Sequence, residues 1–117
     1  KNQNLKVITL TNGSASNTRT LLKKNKLEGL IDCCLSIENF KVWKPHKNVY
    51  LKACKFMKTN PKNSLMIAAH GWDINGAKLA GLKTAYITRY EKKISNFYLK
   101  PDYIGENSFE IVSKLFI

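Results

Sequence analysis

SLMIAAHGWDINGAKLAGLKTAYIT, residues 64–88, is the stretch on which the fold turns. Ser64 to Ala69 is the most hydrophobic short run of the chain and reads as a strand. Asp73 can open a helix that carries Ala77 and Ala80 on one face and stops at Gly81, and Thr84 to Thr88 returns as a second strand. A strand, a helix and another strand within so few residues describe a parallel crossover unit.

The same alternation extends in both directions. Towards the start, Lys6 to Leu10 holds Val7-Ile8-Thr9-Leu10, a β-branched run that stops at Asn12-Gly13 and reads as a strand buried on both faces. Ser14 or Ser16 can cap a following helix through Leu27, with Thr18, Leu21, Leu22 and Asn25 at helical spacing. Ile31 to Ser36 is a second short apolar stretch. Asn48 to Lys58 places Tyr50, Ala53, Cys54 and Met57 on one stripe of an amphipathic helix ended by Asn60-Pro61. Towards the end, Lys92 to Lys100 is polar and irregular. A short extended piece at Asp102 to Ile104 precedes a helix bearing Phe109, Val112 and Phe116. The expectation is one α/β domain over residues 1–117, with a parallel sheet and helices on its faces.

The net charge of +12 raises the question of an anionic partner. The only arginines are Arg19 and Arg89, and the lysines are scattered. Base readout and bidentate phosphate clamps favour Arg, so a solvated basic surface is the preferred reading over a nucleic-acid binder. No apolar run approaches the roughly 18 residues of a membrane span. The three cysteines, Cys33, Cys34 and Cys54, lack metal-site spacing, and adjacent cysteines on a strand point to opposite faces and cannot line one site together. Buried free thiols in a reducing cytoplasm are expected. His46 and His70 have no cysteine near either, so a structural zinc site is not expected.

In an open parallel sheet ligands sit beyond the carboxyl ends of the strands. Thr11-Asn12 ends the first strand, His70-Gly71-Trp72-Asp73 follows the third, and Val42-Trp43-Lys44-Pro45 can carry Lys44 to the same edge. Each has a plain structural reading too: Thr11 and Asn12 can close a turn, and Asp73 can cap a helix. Taken together, three segments resemble the second, third and fourth motifs of the haloacid dehalogenase superfamily. They are Leu10-Thr11-Asn12-Gly13-Ser14, then Val42-Trp43-Lys44-Pro45 with Val49-Tyr50, then Ala68-Ala69-His70-Gly71-Trp72-Asp73-Ile74-Asn75-Gly76-Ala77. Within that superfamily they resemble the type II 2-haloacid dehalogenase branch. The likeness runs from about Leu5 to Leu115.

The resemblance implies a Rossmann-like parallel sheet, a small-molecule substrate, and hydrolysis through an aspartyl ester. It implies that Thr11 bonds the nucleophilic carboxylate, and that Asn12 donates to substrate oxygen or departing halide. Lys44 would neutralise developing charge, and Asp73 would orient Lys44 and help activate water. Trp72 and His70 would lie beside the substrate. No cofactor is implied. Phosphatases of the superfamily hold Mg²⁺ with paired carboxylates at the fourth motif, and here Asp73 stands without a second one, which disfavours Mg²⁺. His70 and Ala68 stand where the dehalogenases carry Asn and Ser.

The resemblance also implies elements that this sequence does not contain. The superfamily's nucleophile lies in an Asp-x-Tyr-Gly-Thr-like segment on an N-terminal strand, and none of Asp32, Asp73 and Asp102 has that context. The chain, which opens at Lys1, is therefore expected to be the C-terminal part of such a hydrolase, without the nucleophile strand and the helical cap. That strand would lie between the one ending at Thr11 and the one ending at Ala69. Leaving its neighbours unpaired would cost about 1–3 kcal/mol for each unmade buried hydrogen bond. An N-terminal segment, a second copy, or direct closure of the two strands would relieve this. A non-catalytic remnant or binding module is the alternative to an enzyme, and a basic nucleic-acid-binding protein is the third reading.

Overall fold

The computed structural model describes residues 5–116, except for the side chains of Asn39 and Phe116. Strands and helices alternate as β1 (Ile8–Thr11), α1 (Ala15–Lys24), β2 (Cys33–Ser36), α2 (Lys47–Phe56), β3 (Leu65–Ala68), α3 (Gly71–Leu79), β4 (Lys83–Ile87), β5 (Tyr103–Gly105) and α4 (Ser108–Phe116). All strand pairs are parallel, in two ladders, β1–β2 and β3–β4–β5. The α/β class with parallel sheets flanked by helices is as expected. The chain forms two compact units, residues 1–44 and 45–117.

In the first unit, Ile8 to Thr11 register with Cys33 to Ser36, and α1 packs on both strands. Ser14, not Ser16, caps α1: its Oγ accepts the Asn17 N–H at 2.9 Å. The helix stops short of Leu27 because Asn25 turns its side-chain amide back onto the Leu21 carbonyl at 2.8 Å, and Lys26 takes φ 58°. Its inward face is Ala15, Thr18 and Leu22, while Leu21 and Asn25 of the expected stripe are exposed. β1 is half-buried along its length rather than buried on both faces, since within this unit it has one paired strand and one covering helix. Cys33 and Cys34 are likewise half-buried, and only Cys54, in the second unit, is buried; all three are free thiols. Cys33 and Cys34 both border a cavity of about 190 Å³ together with Arg19 and Asp32.

In the second unit, α3 packs on β3 and β4, α4 on β5, and α2 on α3. Val49, Tyr50, Ala53 and Cys54 form the buried stripe of α2. Ala68, Ile74 and Tyr86 make a core cluster, with Met66 and Ile94 packed against it. Each large apolar side chain so buried contributes about 1.5–3 kcal/mol. Gly81 ends α3 at φ 94°, a backbone conformation that lets its N–H reach the Lys78 carbonyl at 3.0 Å and the Leu82 N–H the Ala77 carbonyl at 3.1 Å. At Gly76 a Cβ would collide with the Pro45 carbonyl and lie 2.8 Å from the Tyr50 ring, so glycine is what lets α3 approach the start of α2.

Two details differ from expectation. Helix α3 begins at Gly71, with His70 at the N-cap, so Asp73 sits inside the first turn and is not the cap. In α4 the inward residue is Ile111 at 0% exposure, while Phe109 is 80% exposed and Val112 is also exposed. α4 lies so close to β5 that Ile111 would be 2.9 Å from a Cβ at Gly105. The Phe116 side chain lies outside the described residues.

Candidate active site

The first unit brings Thr11, Asn12 and Lys44 together. Thr11 is the last residue of β1, and its hydroxyl accepts the Gly13 N–H at 2.9 Å, closing the turn. The Asn12 side chain grips the backbone of Lys44: Oδ1 accepts the Lys44 N–H at 2.8 Å, and Nδ2 donates to the Lys44 carbonyl at 3.4 Å. The segment bearing Lys44 is thus fastened beside the carboxyl end of β1, and an amide has a second N–H to give. Ser36, at the end of β2 and buried, donates to the Gly13 carbonyl at 2.6 Å and fixes the other side of the same turn.

The second unit holds His70, Trp72 and Asp73 just past β3. Asp73 is 4% exposed, and its Oδ1 accepts the Tyr50 hydroxyl at 2.5 Å. Burial first, then this bond to Asp73, pushes the Tyr50 hydroxyl far above its ordinary range, so it remains a donor. His70 stacks on Trp72 with ring centroids 5.5 Å apart and planes 9° apart. Its Nδ1 lies 3.0 Å from Glu91 Oε2. Glu91, in the loop after β4, also accepts the Gly71 N–H at 2.9 Å and the Tyr86 hydroxyl at 2.9 Å through Oε1. These bonds, His70's first, hold the Glu91 carboxyl below the usual range. The Tyr86 hydroxyl is pushed up to about 12, mainly by burial. A cavity of about 340 Å³ opens beside Tyr86, Thr88, Lys92, Lys93, Ile94 and Asn96.

The polar role of Tyr50, and Glu91 altogether, escaped the sequence reading. Tyr50 fell on an apolar stripe, yet a buried tyrosine hydroxyl demands a partner, which was the available signal. Glu91 follows the carboxyl end of a strand, where parallel sheets place ligand-facing groups, but a single acid among lysines and arginine looked like solvated surface. The other two aspartates face the opposite way along the strands. Asp32 precedes β2 and accepts the Val7 N–H at 2.7 Å. Asp102 precedes β5 and accepts from Lys78 Nζ at 2.7 Å and the Thr84 N–H at 2.8 Å. Among the described residues no group of three or more His, Cys, Asp or Glu could hold a metal ion.

Comparison with known proteins gives one direction. The family model described as haloacid dehalogenase-like hydrolase matches residues 1–87. The (S)-2-haloacid dehalogenase 4A of Burkholderia cepacia is 34% identical over 83 residues, covering 71% of this chain and 36% of that protein. Pyrophosphatase PpaX of Bacillus mycoides is 30% identical over 115 residues, covering 96% of this chain and 53% of that one. A crystal structure of a dehalogenase with an intermediate complex superposes with a TM-score of 0.88 at 28% identity, covering 98% of this chain and 50% of that one. The chain spans between about a third and a half of the length of these relatives.

Proposed function

Because the chain belongs to the haloacid dehalogenase-like hydrolases, we propose that it supplies the C-terminal part of a hydrolase site that removes halide from a small 2-haloacid. In this reaction a carboxylate oxygen displaces the halide to form an aspartyl ester, and water then hydrolyses the ester. Thr11 and Asn12 hold the carboxylate and the leaving halide. Lys44 offsets the charge that develops as the bond breaks. Asp73 helps activate the water, with Trp72 and His70 beside the substrate. Lys92 and Lys93 at the neighbouring cavity suit an anionic acid.

The observation that carries this reading is Asp73. It is the only aspartate of the sequence that follows the carboxyl end of a strand, and it is buried there with one oxygen held by Tyr50. The attacking carboxylate is assigned to another polypeptide segment, since Asp32 and Asp102 are engaged at the amino ends of strands. A second copy of this chain would bring only the same three aspartates. It could pair with a strand edge but not supply the nucleophile. Asp73 standing without a second acid at the fourth motif favours chemistry without a metal over the likeness to a pyrophosphatase.

The test is halide release from (S)-2-chloropropionate, with phosphate release from pyrophosphate in parallel, by the product of the natural coding region. Lys44→Ala is expected to lower kcat about 10²- to 10³-fold, as for loss of one preorganised group facing developing charge. Undiminished halide release would overturn the assignment. A folded protein that releases neither product would instead be a binding module. DNA retention that falls steeply with salt would revive the nucleic-acid reading.

A further inference from the structure

We infer that Glu91 is a positioning residue for His70, fixing the imidazole as its Nδ1–H tautomer and leaving Nε2 as a hydrogen-bond acceptor at the carboxyl end of β3. A carboxylate offers only acceptors, so a neutral imidazole nitrogen 3.0 Å from Glu91 Oε2 must carry the proton. The carboxylate cannot readily swing away. Its other oxygen is tied to the Gly71 N–H and to the Tyr86 hydroxyl, each at 2.9 Å. Trp72, stacked on the ring, limits its tilt. The ring edge that carries Nε2 therefore has a set direction and a set polarity, and it accepts a hydrogen bond from water or from a donor on the substrate.

The chain contains its own control. His46 caps α2, and its Nδ1 accepts the Asn48 N–H at 3.1 Å, which requires the opposite, Nε2–H tautomer. The two histidines of the sequence are thus expected in opposite tautomers within one molecule. The tautomer stands on geometry alone. Its consequence for turnover rests on the dehalogenase reading above.

The experiment is a long-range nitrogen–proton NMR spectrum of both imidazoles in the 117-residue chain, at a pH where the rings are neutral. His70 is expected as Nδ1–H and His46 as Nε2–H. Glu91→Ala should move His70 towards the Nε2–H form, and Tyr86→Phe, which removes a different bond to Glu91, should leave it unchanged. An Nε2–H His70 in the unaltered chain overturns the inference even if Glu91→Ala fails to fold, and so does an unchanged tautomer in a folded Glu91→Ala variant. In the halide-release assay Glu91→Ala should lower kcat by about tenfold, the worth of one hydrogen bond, with KM nearly constant. Full kcat in an active dehalogenase would remove the role in turnover. Absence of halide release from the unaltered enzyme would sink the proposed function while the tautomer result stood.

Discussion

Asp73 is a carboxylate withdrawn from water in the first turn of a helix, a place where backbone N–H groups favour negative charge. Tyr50 keeps its proton because burial and the neighbouring carboxylate both oppose the phenolate. It is therefore a permanent donor, not a proton shuttle, and its work is to steer one oxygen of Asp73. Tyr50→Phe removes that donor at little cost in volume. Stability should fall by about 1–3 kcal/mol, read as a lowered urea midpoint at unchanged slope. A midpoint that does not move would show that Asp73 draws nothing from Tyr50.

The elements of the second unit are tied by an acid at a strand start as well as by packing. Asp102 bridges the Lys78 ammonium on α3 and the backbone N–H of Thr84 on β4, and these contacts, Lys78's first, hold its carboxyl below the ordinary range. With the folded value depressed, the unfolded chain takes up the proton first as pH falls. The contribution to stability is thus complete above about pH 4 and is lost as pH drops through the folded value. Glu91 acts with the same sign. Asp102→Asn should flatten the acid limb, costing more stability near pH 6 than near pH 3 in urea titrations; equal losses at both would count against the ion pair. These ties span 24 and 18 residues of sequence, and so they could not be read from local pattern. The alternation of strands and helices could, because short β-branched runs and glycine or proline stops are local signals. The inward face of α4 could not: Phe109, Ile111 and Val112 are all apolar, and the close approach to Gly105 selects Ile111. In the first unit Thr11, Asn12 and Lys44, and in the second His70, Trp72 and Asp73, are legible as motif positions. The bonds of Tyr50 to Asp73 and of Glu91 to His70 are hidden by distance in sequence.

At the scale of the whole molecule, the described strands end in open ladders. β3 pairs with β4 on one side, and Ile67 in its middle is 39% exposed. β1 pairs with β2 and is half-buried throughout, and the Thr9 hydroxyl is buried with no hydrogen-bond partner among the described residues. No helix among the described residues is long and apolar enough to cross a membrane. In a parallel strand, alternate N–H groups face alternate neighbours, and those facing an absent neighbour are left to solvent. The amides of β3 that point away from β4 are therefore expected to exchange quickly in the isolated chain, while those bonded to β4 stay protected. Adding a polypeptide that carries an Asp-x-Tyr-Gly-Thr-like strand should protect the fast set and leave the slow set unchanged. Protection that instead appears on raising the concentration of this chain alone would mean that a second copy takes the edge. Full protection in the dilute monomer would mean that the edge is already covered, and the proposal of a strand supplied from another segment would then lose its structural support.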